Sequence, residues 1–333
     1  MKQALTQNDI RLIEWLGSTY PSQHFVLSHK NVRTRVQRLE REGFVRPVKG
    51  PNRGIVYGPT EKGLDVKTSE PIIVYRETIG KESPEIEGRS PNKHNSFYMT
   101  VEPLEDEVYN AIKSGELREG RIKKKNEEIA NILSKLGWSG DSIRNIRDIY
   151  KGNILMDETR GEVHIGEVMD MVLDAFEMVV NQGPLAREPC MKLKVSLVDT
   201  RLHEDAIHRG PAQVYPAVRE AIVEAMKKAN AYLLEPIQIY LIEMPDKFLS
   251  AVTKLVGGKR GQMLEVKQEG SQAEMKAKLP VAEMIGWSSD LRSATEGRGV
   301  SSLVNQLFEK VPASLQPDVI RKIRQRKGLA ENQ

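Results

Sequence analysis

The architecture of this chain is set by residues 191–243, MKLKVSLVDTRLHEDAIHRGPAQVYPAVREAIVEAMKKANAYLLEPIQIYLIE. Residues 191–202 alternate apolar and polar side chains, which is the period of a half-buried strand. The Gly210–Pro211 step then precedes a helical period over 216–229, and the run at 236–243 is typical of a second strand. A strand, a helix and a strand in this order predict that sheet and helix pack against each other here.

The residues that follow predict a second, smaller layer. After strand 236–243 come a helix at 246–256, strands at 262–268 and 272–279 around a turn at Glu269 and Gly270, a helix at 281–296 and a strand at 300–308. This βαββαβ order is the ferredoxin-like arrangement. A basic helix is expected at 318–329, with Gly328 as its stop.

Upstream of residue 191, strands and helices are mixed in the same way. The β-branched run 71–78 predicts a strand, residues 80–95 contain two Ser-Pro steps and predict a loop or hairpin, and residues 97–103 predict the strand that leaves it. Helical periods occur at 104–114, 126–136 and 166–181. The chain is therefore expected to be α+β and multidomain.

The first 68 residues predict a separate small module. Apolar periods indicate helices at 7–17 and 30–42, and residues 44–48 and 54–57 flank a turn like the two strands of a wing. This order resembles a winged-helix domain, whose second helix enters the major groove of DNA. The resemblance implies nucleic-acid contact through Lys30, Thr34, Gln37, Arg38 and Arg41. The same basic face suits protein contact or dimerisation equally well, because fold does not fix function.

Composition excludes several classes of protein. Of the 333 residues, 39% are hydrophobic and 29% are charged, which is typical of a folded protein with two or three domains. The N-terminal sequence lacks a signal-peptide pattern and no apolar run is long enough to span a bilayer, so a cytoplasmic location without membrane contact is expected. A single cysteine, Cys190, excludes an internal disulfide and a cysteine-based zinc site.

The net charge of +4 is unevenly distributed. Residues 1–70 contain twelve Lys and Arg against seven Asp and Glu, whereas the remainder is close to neutral. A basic N-terminal module is thus joined to a near-neutral body. Net charge alone predicts no nucleic-acid partner for that body.

Ten short segments of the body carry a more specific signal. They are PIIVYRET (71–78), SPNKHN (90–95), LDAFE (173–177), GPLAREP (183–189), HEDAIHRGPAQV (203–214), LLEPIQ (233–238), KRGQ (259–262), PVAEM (280–284), DLRSATEGRG (290–299) and IRKIRQRKGL (320–329). In this order they resemble the C-terminal part of the archaeal and eukaryotic elongation factor 2 family, the translational translocases. Each segment alone is weakly specific, but together they are spread in the right order along nearly the whole of residues 69–329.

The resemblance implies a domain organisation and a contact site. Residues 69–80 would be a remnant strand of the third domain, 81–233 the fourth domain, 234–312 the ferredoxin-like fifth domain, and 313–333 a basic helix that packs on the fourth. His208 would match the histidine that the family converts to diphthamide, on a tip that enters the decoding-site region of the ribosome. Contacts with the ribosome, tRNA and mRNA would come from Pro91, Asn92, Lys93, His94, Asn95, His203, Arg209 and Gly210.

Sequence motifs for catalysis and metal binding are not found. No G-x-x-x-x-G-K-[ST] phosphate loop occurs, and residues 257–261 have the wrong spacing for one. On an α-helix, the five-residue separation of His203 and His208 would point their rings about 140° apart, so no zinc site is expected. We therefore expect no enzymatic activity, no metal and no cofactor on this chain, although the full-length family hydrolyses GTP.

Three hypotheses follow. The first is a ribosome-binding protein of the translocase type, which acts as a strut when tRNA and mRNA move. Its partners would be the ribosome with its factor-binding region, diphthamide biosynthesis enzymes and a separate GTPase subunit. The second is a DNA-binding winged-helix regulator that uses the body as a sensor or dimerisation platform. The third is a truncated or fused elongation factor 2 whose N-terminal module is incidental. The first hypothesis accounts for the ten segments that resemble the elongation factor 2 family. The sequence leaves open whether such a protein promotes or inhibits translocation.

Overall fold

A computed structural model describes residues 30–42, 45–49, 55–59, 73–122, 126–160 and 164–330. The chain divides into two compact units, Met1–Ile72 and Ile73–Gln333. The larger unit contains two separate sheets that carry helices, so the fold is multidomain and α+β, as predicted.

The smaller unit contains a helix and a hairpin. Helix α1 (Lys30–Arg41) precedes the antiparallel strands β1 (Val45–Lys49) and β2 (Ile55–Pro59). Val36 and Leu39 are fully buried, so the apolar stripe of α1 faces inward. The predicted second helix and the two wing strands are confirmed, whereas the predicted helix at 7–17 lies outside the described residues.

The larger unit begins with a short strand and a six-stranded sheet. The strands are β3 (Arg76–Thr78), β4 (Ile86–Arg89), β5 (Ser96–Pro103), β6 (Gly120–Arg121), β7 (Ile146–Tyr150), β8 (Asn153–Asp157) and β9 (Leu193–Arg201). The first sheet has the order β4, β5, β9, β8, β7, β6, and β3 is not part of it. β8 and β9 run parallel, and the other neighbouring strands run antiparallel.

A small lobe packs beside β6, β7 and β8. Its helices are α2 (Asp106–Ser114), α3 (Glu127–Lys135) and α4 (Gly140–Asn145). Leu117 and Leu133 are fully buried in its core. Asn126 and Ser139 cap α3 and α4, because each side chain accepts a backbone N–H of the following turn. The prediction assigned no element to residues 140–157, so α4, β7 and β8 are new.

The main core lies between the first sheet and two long helices, α5 (Ile165–Asn181) and α6 (Pro211–Lys228). Leu193, Val195 and Leu197 are fully buried, which confirms the alternation predicted for β9. Helix α6 begins at Pro211, as the Gly210–Pro211 step predicts. Gly88 of β4 permits the close approach of α6, because a Cβ there would overlap the carbonyl oxygen of Ala217.

The second sheet has the predicted ferredoxin-like order. Its strands and helices are β10 (Tyr232–Pro245), α7 (Leu249–Gly258), β11 (Gln262–Glu269), β12 (Gln272–Pro280), α8 (Trp287–Ala294) and β13 (Val300–Lys310). The strand order is β11, β12, β10, β13, and all pairs are antiparallel. Both helices are shorter than predicted, because residues 246–248 and 281–283 form 3₁₀ turns.

Strand β3 joins the second sheet and is shorter than predicted. Only Arg76–Thr78 of the predicted strand 71–78 is a strand within the described residues, and it pairs antiparallel with Tyr232–Leu234 of β10. Glu77 is fully buried, and its carboxylate accepts backbone N–H groups of Leu185, Ala186 and Glu188 at 2.6, 2.8 and 2.9 Å. Burial raises the pKa of Glu77 despite these hydrogen bonds.

Cys190 is buried beside Glu77. Its side chain is 1% exposed, and burial raises the pKa of the thiol well above its ordinary value. Both features are those of a structural, poorly reactive thiol.

The last helix, α9 (Gln316–Arg326), packs on residues 183–189. Arg324 donates to the carbonyl oxygen of Leu185 at 2.8 Å, and Lys327 donates to that of Ala186 at 3.0 Å. Lys327 also forms an ion pair of 2.8 Å with the buried carboxylate of Glu188. Within the described residues, no helix is both long enough and apolar enough to cross a membrane.

Candidate functional site

Two loops of the first sheet end side by side and form a tip. One loop, residues 90–95, connects the hairpin strands β4 and β5, and the other, residues 202–210, leads from β9 into α6. Ser96 of β5 pairs with Arg201 of β9, so the two loops leave the same end of neighbouring strands. We call residues 90–95 and 202–210 together the tip.

Asparagine side chains fasten the two loops to each other. The carbonyl oxygen of His208 accepts hydrogen bonds from the side-chain amides of Asn92 and Asn95 at 3.1 and 2.8 Å. The side-chain oxygen of Asn95 accepts the backbone N–H of His203 at 3.0 Å. The backbone N–H of Asn92 donates to the side chain of Gln213 in α6 at 2.9 Å. These bonds hold the backbone of His208 in one place.

The first loop turns sharply at Lys93. Its backbone φ is 62°, in the left-handed region that a lysine rarely adopts, and its N–H donates to the carbonyl oxygen of Ser90 at 2.8 Å. Asn92 stabilises this turn by accepting the hydroxyl of Ser90 at 2.6 Å and the backbone N–H of His94 at 3.0 Å. The side chains of Lys93 and His94 are both exposed on this turn.

A buried arginine supports the second loop from inside. Arg209 is 4% exposed, and its guanidinium donates to the carbonyl oxygens of His203 and Glu204, the latter at 2.8 Å. It also pairs with the carboxylate of Glu167 in α5. The arginine and the neighbouring His164 lower the pKa of Glu167, so that carboxylate stays ionised.

Three imidazole rings meet at the tip. The ring centroids of His94 and His203 are 5.0 Å apart, those of His94 and His208 4.9 Å, and those of His203 and His208 4.5 Å. Nδ1 of His203 accepts the backbone N–H of Asp205 at 3.0 Å, so Nε2 is its free ring nitrogen. In the part of the chain that the structure describes, no group of His, Cys, Asp or Glu has the geometry to hold a metal ion.

The outer surface of the tip is chemically mixed. Pro91 and Lys93 are exposed, and Ile207 is 78% exposed. Glu204 and Asp205 add negative charge on one side. The positive end of the α6 dipole lies at the base of the loop, since α6 begins directly after Gly210. Hydrogen-bond donors, imidazoles and an apolar side chain on one small surface suit contact with a folded RNA.

The structure corrects two sequence-based predictions of RNA contact, and residues 203–208 do not form the α-helix for which the spacing of His203 and His208 was considered. Asn95 and Arg209, predicted to contact RNA, lie beneath the surface, where they bond other parts of the tip. The rings of His203 and His208, expected to point apart on an α-helix, are neighbours because residues 206–208 form a single 3₁₀ turn. Of the remaining predicted contacts, Asn92, His203, His208 and Gly210 are half-buried, and Pro91, Lys93 and His94 are exposed.

Sequence reasoning missed three residues that belong to the tip or bond to it. Glu167 and Gln213 reach it only through tertiary contacts, and no local pattern marks them. Ile207 did have a signal, because an isolated apolar residue within a predicted polar turn has no core to enter.

Two family models match the larger unit. Residues 115–230 match the model described as Elongation factor G, domain IV, and residues 232–319 match the model described as Elongation factor G C-terminus. The boundary between them falls next to Tyr232, where the second sheet begins. These parts of the chain are therefore the C-terminal domain types of a translation elongation factor.

Proteins named elongation factor 2 are similar to most of this chain. Identity is 49% over 270 residues with the protein of Pyrococcus horikoshii, covering 81% of this chain and 37% of that protein. It is 51% over 270 residues for Nanoarchaeum equitans, covering 80% and 36%, and 45% over 275 residues for Methanosphaera stadtmanae, covering 83% and 37%. The matched residues are homologous to the C-terminal part of archaeal elongation factor 2, and the chain spans little more than a third of these relatives' length.

Proposed function

We propose that this protein binds the ribosome through its tip, as a translocase-type strut that follows tRNA and mRNA when they move. The observation that carries the proposal is the hydrogen-bonded pair of loops, in which Asn92 and Asn95 hold the backbone of His208 while Lys93 and His94 are exposed. The similarity to elongation factor 2 over four-fifths of the chain supports it.

The chemistry of the tip is compatible with binding any codon and any tRNA. Paired RNA is recognised mainly by shape, by 2′-hydroxyl groups and by phosphates, and these features do not depend on base sequence. Lys93 and the imidazoles supply hydrogen-bond donors, and Ile207 supplies an apolar contact. A rigid backbone lowers the entropy lost on binding, because the loops are ordered before they meet the RNA.

We further propose that His208 is converted to a diphthamide-type residue. Its ring belongs to the imidazole group at the tip, whereas its backbone is fixed by two asparagines, so a ring substituent leaves the loop intact. A fixed cationic substituent would add a charge that an imidazole alone lacks at neutral pH. Mass spectrometry of protein from its natural source tests this proposal, and an unmodified His208 would contradict it.

GTP hydrolysis is assigned to no residue of this chain in our proposal. The sequence has no phosphate-binding loop motif, and the family resemblance reaches only the C-terminal part of the relatives. We propose a separate GTPase subunit as a partner, and no cofactor is assigned here. The proposed site of action is the cytoplasm, at the factor-binding region of the ribosome.

Co-sedimentation with ribosomes of the natural source, at physiological salt, tests the main proposal. We expect the chain to pellet with ribosomes and to be displaced by full-length elongation factor 2. A Lys93→Ala/His94→Ala variant should pellet less, whereas Lys254→Ala, an exposed lysine on α7, is the matched control. Failure of the unaltered chain to pellet would contradict the proposal.

A second candidate function is DNA binding by the smaller unit. Thr34, Gln37 and Arg41 are exposed on α1 opposite its buried stripe, as a recognition helix requires, and Arg38 is half-buried. Lys30 lies in the first turn of the same helix. Retention on duplex DNA that is lost in Gln37→Ala/Arg41→Ala, together with no ribosome binding, would favour this function over the first.

A further inference from the structure

The segment GPLAREP (183–189) lines a cleft at the far end of α6. The cleft has a volume of about 470 Å³ and lies between residues 182–187, one face of α6 and the residues around the end of α9. We call it the basal cleft. Arg219 and Lys227 of its lining lie eight and sixteen residues beyond Pro211 on α6, which is about 12 and 24 Å at 1.5 Å per residue, so the basal cleft is separate from the tip.

Four cationic side chains line the basal cleft: Arg187, Arg219, Lys227 and Arg324. No carboxylate side chain is among the described residues that line it. Arg187 and Arg219 are exposed, and neither has an ion-pair partner among the described residues. The cleft therefore concentrates positive charge in a concave surface, which strengthens its attraction for anions.

Neither of the other two cations is held in a buried ion pair. Arg324 bonds the neutral carbonyl oxygens of Leu185 and Ala330, both at 2.8 Å, and so keeps its full charge. Lys227 forms a pair of 2.7 Å with Glu224, and both side chains of that pair are 42% exposed. Exposed pairs of this kind exchange readily for another anion, because each is weak in water.

The backbone at Arg187 is unusual and is held in place. Its φ is 51°, in the left-handed region that favours glycine, although the residue carries a long side chain. Lys327 fixes this turn by donating to the carbonyl oxygen of Arg187 at 2.7 Å. A strained residue that the surrounding structure supports is a reason to look for a function of its side chain.

The spacing of the cations fits an extended polyanion. Arg219, Val223 and Lys227 lie at four-residue intervals on one face of α6, so the two charges are about 12 Å apart along the helix. The described lining contains no aromatic ring on which a base could stack. Guanidinium groups match phosphate oxygens in a two-pronged geometry.

We propose that the basal cleft binds the phosphodiester backbone of RNA, at a contact point separate from the tip. This inference rests on the proposed function, in which the partner is a ribonucleoprotein, because that is what favours RNA over an acidic polypeptide. Binding there would fasten the base of α6 while the tip contacts RNA at the other end. Sequence-independent backbone contact is the kind of recognition that these residues support.

Fluorescence anisotropy with a short, unstructured, labelled single-stranded RNA tests the inference on the full chain. Arg219→Gln/Lys227→Gln removes two cations from exposed positions and should leave the thermal unfolding curve unchanged. We expect RNA affinity to fall about tenfold or more, and the slope of log affinity against log salt to become shallower by about 1.4, since each phosphate contact contributes about 0.7. Lys254→Gln/Arg292→Gln removes the same charge elsewhere and should change neither quantity.

Three results would overturn the inference. The first is an unchanged affinity and salt slope in the basal-cleft variant, and the second is an equal loss in the control variant. The third is binding of poly-glutamate with the same dependence on Arg219 and Lys227, which would make the partner an acidic polypeptide. Ribosome co-sedimentation separates the two proposals. If the unaltered chain does not pellet with ribosomes, the proposed function fails. If the unaltered chain and the basal-cleft variant pellet equally, only the basal cleft as a ribosome contact is overturned.

Discussion

Arg209, inside the tip, and Glu77, on strand β3, are both buried charges, but their surroundings differ. Arg209 bonds two backbone carbonyl oxygens and an exposed carboxylate, that of Glu167, which is in contact with water. Glu77 bonds three backbone N–H groups and no cation. The tip can therefore open and return Arg209 to water, whereas Glu77 can reach water only if β3 separates from residues 183–189.

The difference separates local from global stability. A buried charge near the surface governs the opening of one loop, and a buried charge between packed segments governs the unfolding of the whole unit. Ligand-binding loops belong to the first kind because they have to adjust to a partner. Substitutions at both kinds of buried charge can tell these two roles apart.

Glu77→Ala should destabilise the larger unit strongly. It leaves three buried N–H groups without an acceptor and opens a cavity, so we expect a loss of about 3–5 kcal/mol in the free energy of unfolding. Urea unfolding followed by circular dichroism measures this loss. Glu85→Ala, an exposed glutamate of the same segment, is the control and should change it by less than about 0.5 kcal/mol.

Gly183→Ala tests the same contact from the other side. A Cβ at Gly183 would lie 2.5 Å from Oε2 of Glu77 and 2.9 Å from Sγ of Cys190, so both neighbours have to move. We expect a loss of about 1–3 kcal/mol in the same assay. If Glu77→Ala and Gly183→Ala both unfold like the unaltered chain, the contact between Glu77 and residues 183–189 does not stabilise the larger unit.

Asp148 is a third buried charge, and it differs from Arg209 and Glu77 because one of its carboxylate oxygens has no partner among the described residues. Burial is the main cause that raises its pKa to about 6, and the nearby carboxylate of Glu177 adds to the effect, while Arg121 opposes it. The folded pKa thus exceeds the ordinary value of 3.8 for the unfolded chain. Protonation of Asp148 therefore favours the folded state.

Stability linked to Asp148 should be fully present below about pH 4 and be lost as the pH rises through 6. Asp148→Asn mimics the protonated form, so we expect it to be more stable than the unaltered chain by up to about 3 kcal/mol at pH 7 and to lie within about 0.6 kcal/mol of it at pH 4. Urea titrations at both pH values measure this difference. An equal gain at both values would show that the charge is not the cause.

Arg209→Met should loosen the tip without unfolding the unit. We expect hydrogen exchange at the amides of residues 203–209 to accelerate about tenfold or more, because the carbonyl oxygens of His203 and Glu204 lose their donor. The urea midpoint should change little. A large drop in that midpoint would mean that Arg209 stabilises the core as Glu77 does.

His208→Ala should have the smallest effect on folding. Its imidazole packs against only two other exposed or half-buried rings, so the change in unfolding free energy should stay below about 0.5 kcal/mol. Ribosome binding should nevertheless weaken in co-sedimentation. A strong loss of thermal stability would contradict the placement of His208 on the surface of the tip.

Local patterns predicted the elements that have one buried face. The alternation of Leu193, Val195 and Leu197 identified β9, and the Gly210–Pro211 step located the start of α6. The sequence IRDIYKGNILMD (146–157) gave no such signal, because every residue of β8 is buried and no alternation results. A short, wholly buried strand cannot be told from a helix segment by its period.

The tip was located from the family resemblance, and its internal contacts were not predictable. The hydrogen bonds of Asn92 and Asn95 to His208 span more than a hundred residues, and the pair of Arg209 with Glu167 spans 42. Residue type suggested that Asn92, Asn95 and Arg209 all face a partner. Only the tertiary fold separates those that face outward from those that hold the loops.

The buried state of Cys190 has a practical consequence. It is the chain's single cysteine, and its thiol is inaccessible and poorly ionised, so it should not react with maleimides while the protein is folded. A cysteine introduced at the exposed position Ile207 would then be the sole reactive thiol. The molecule thus offers a background-free attachment point for a fluorophore or spin label, through which arrival of the tip at its partner can be timed directly.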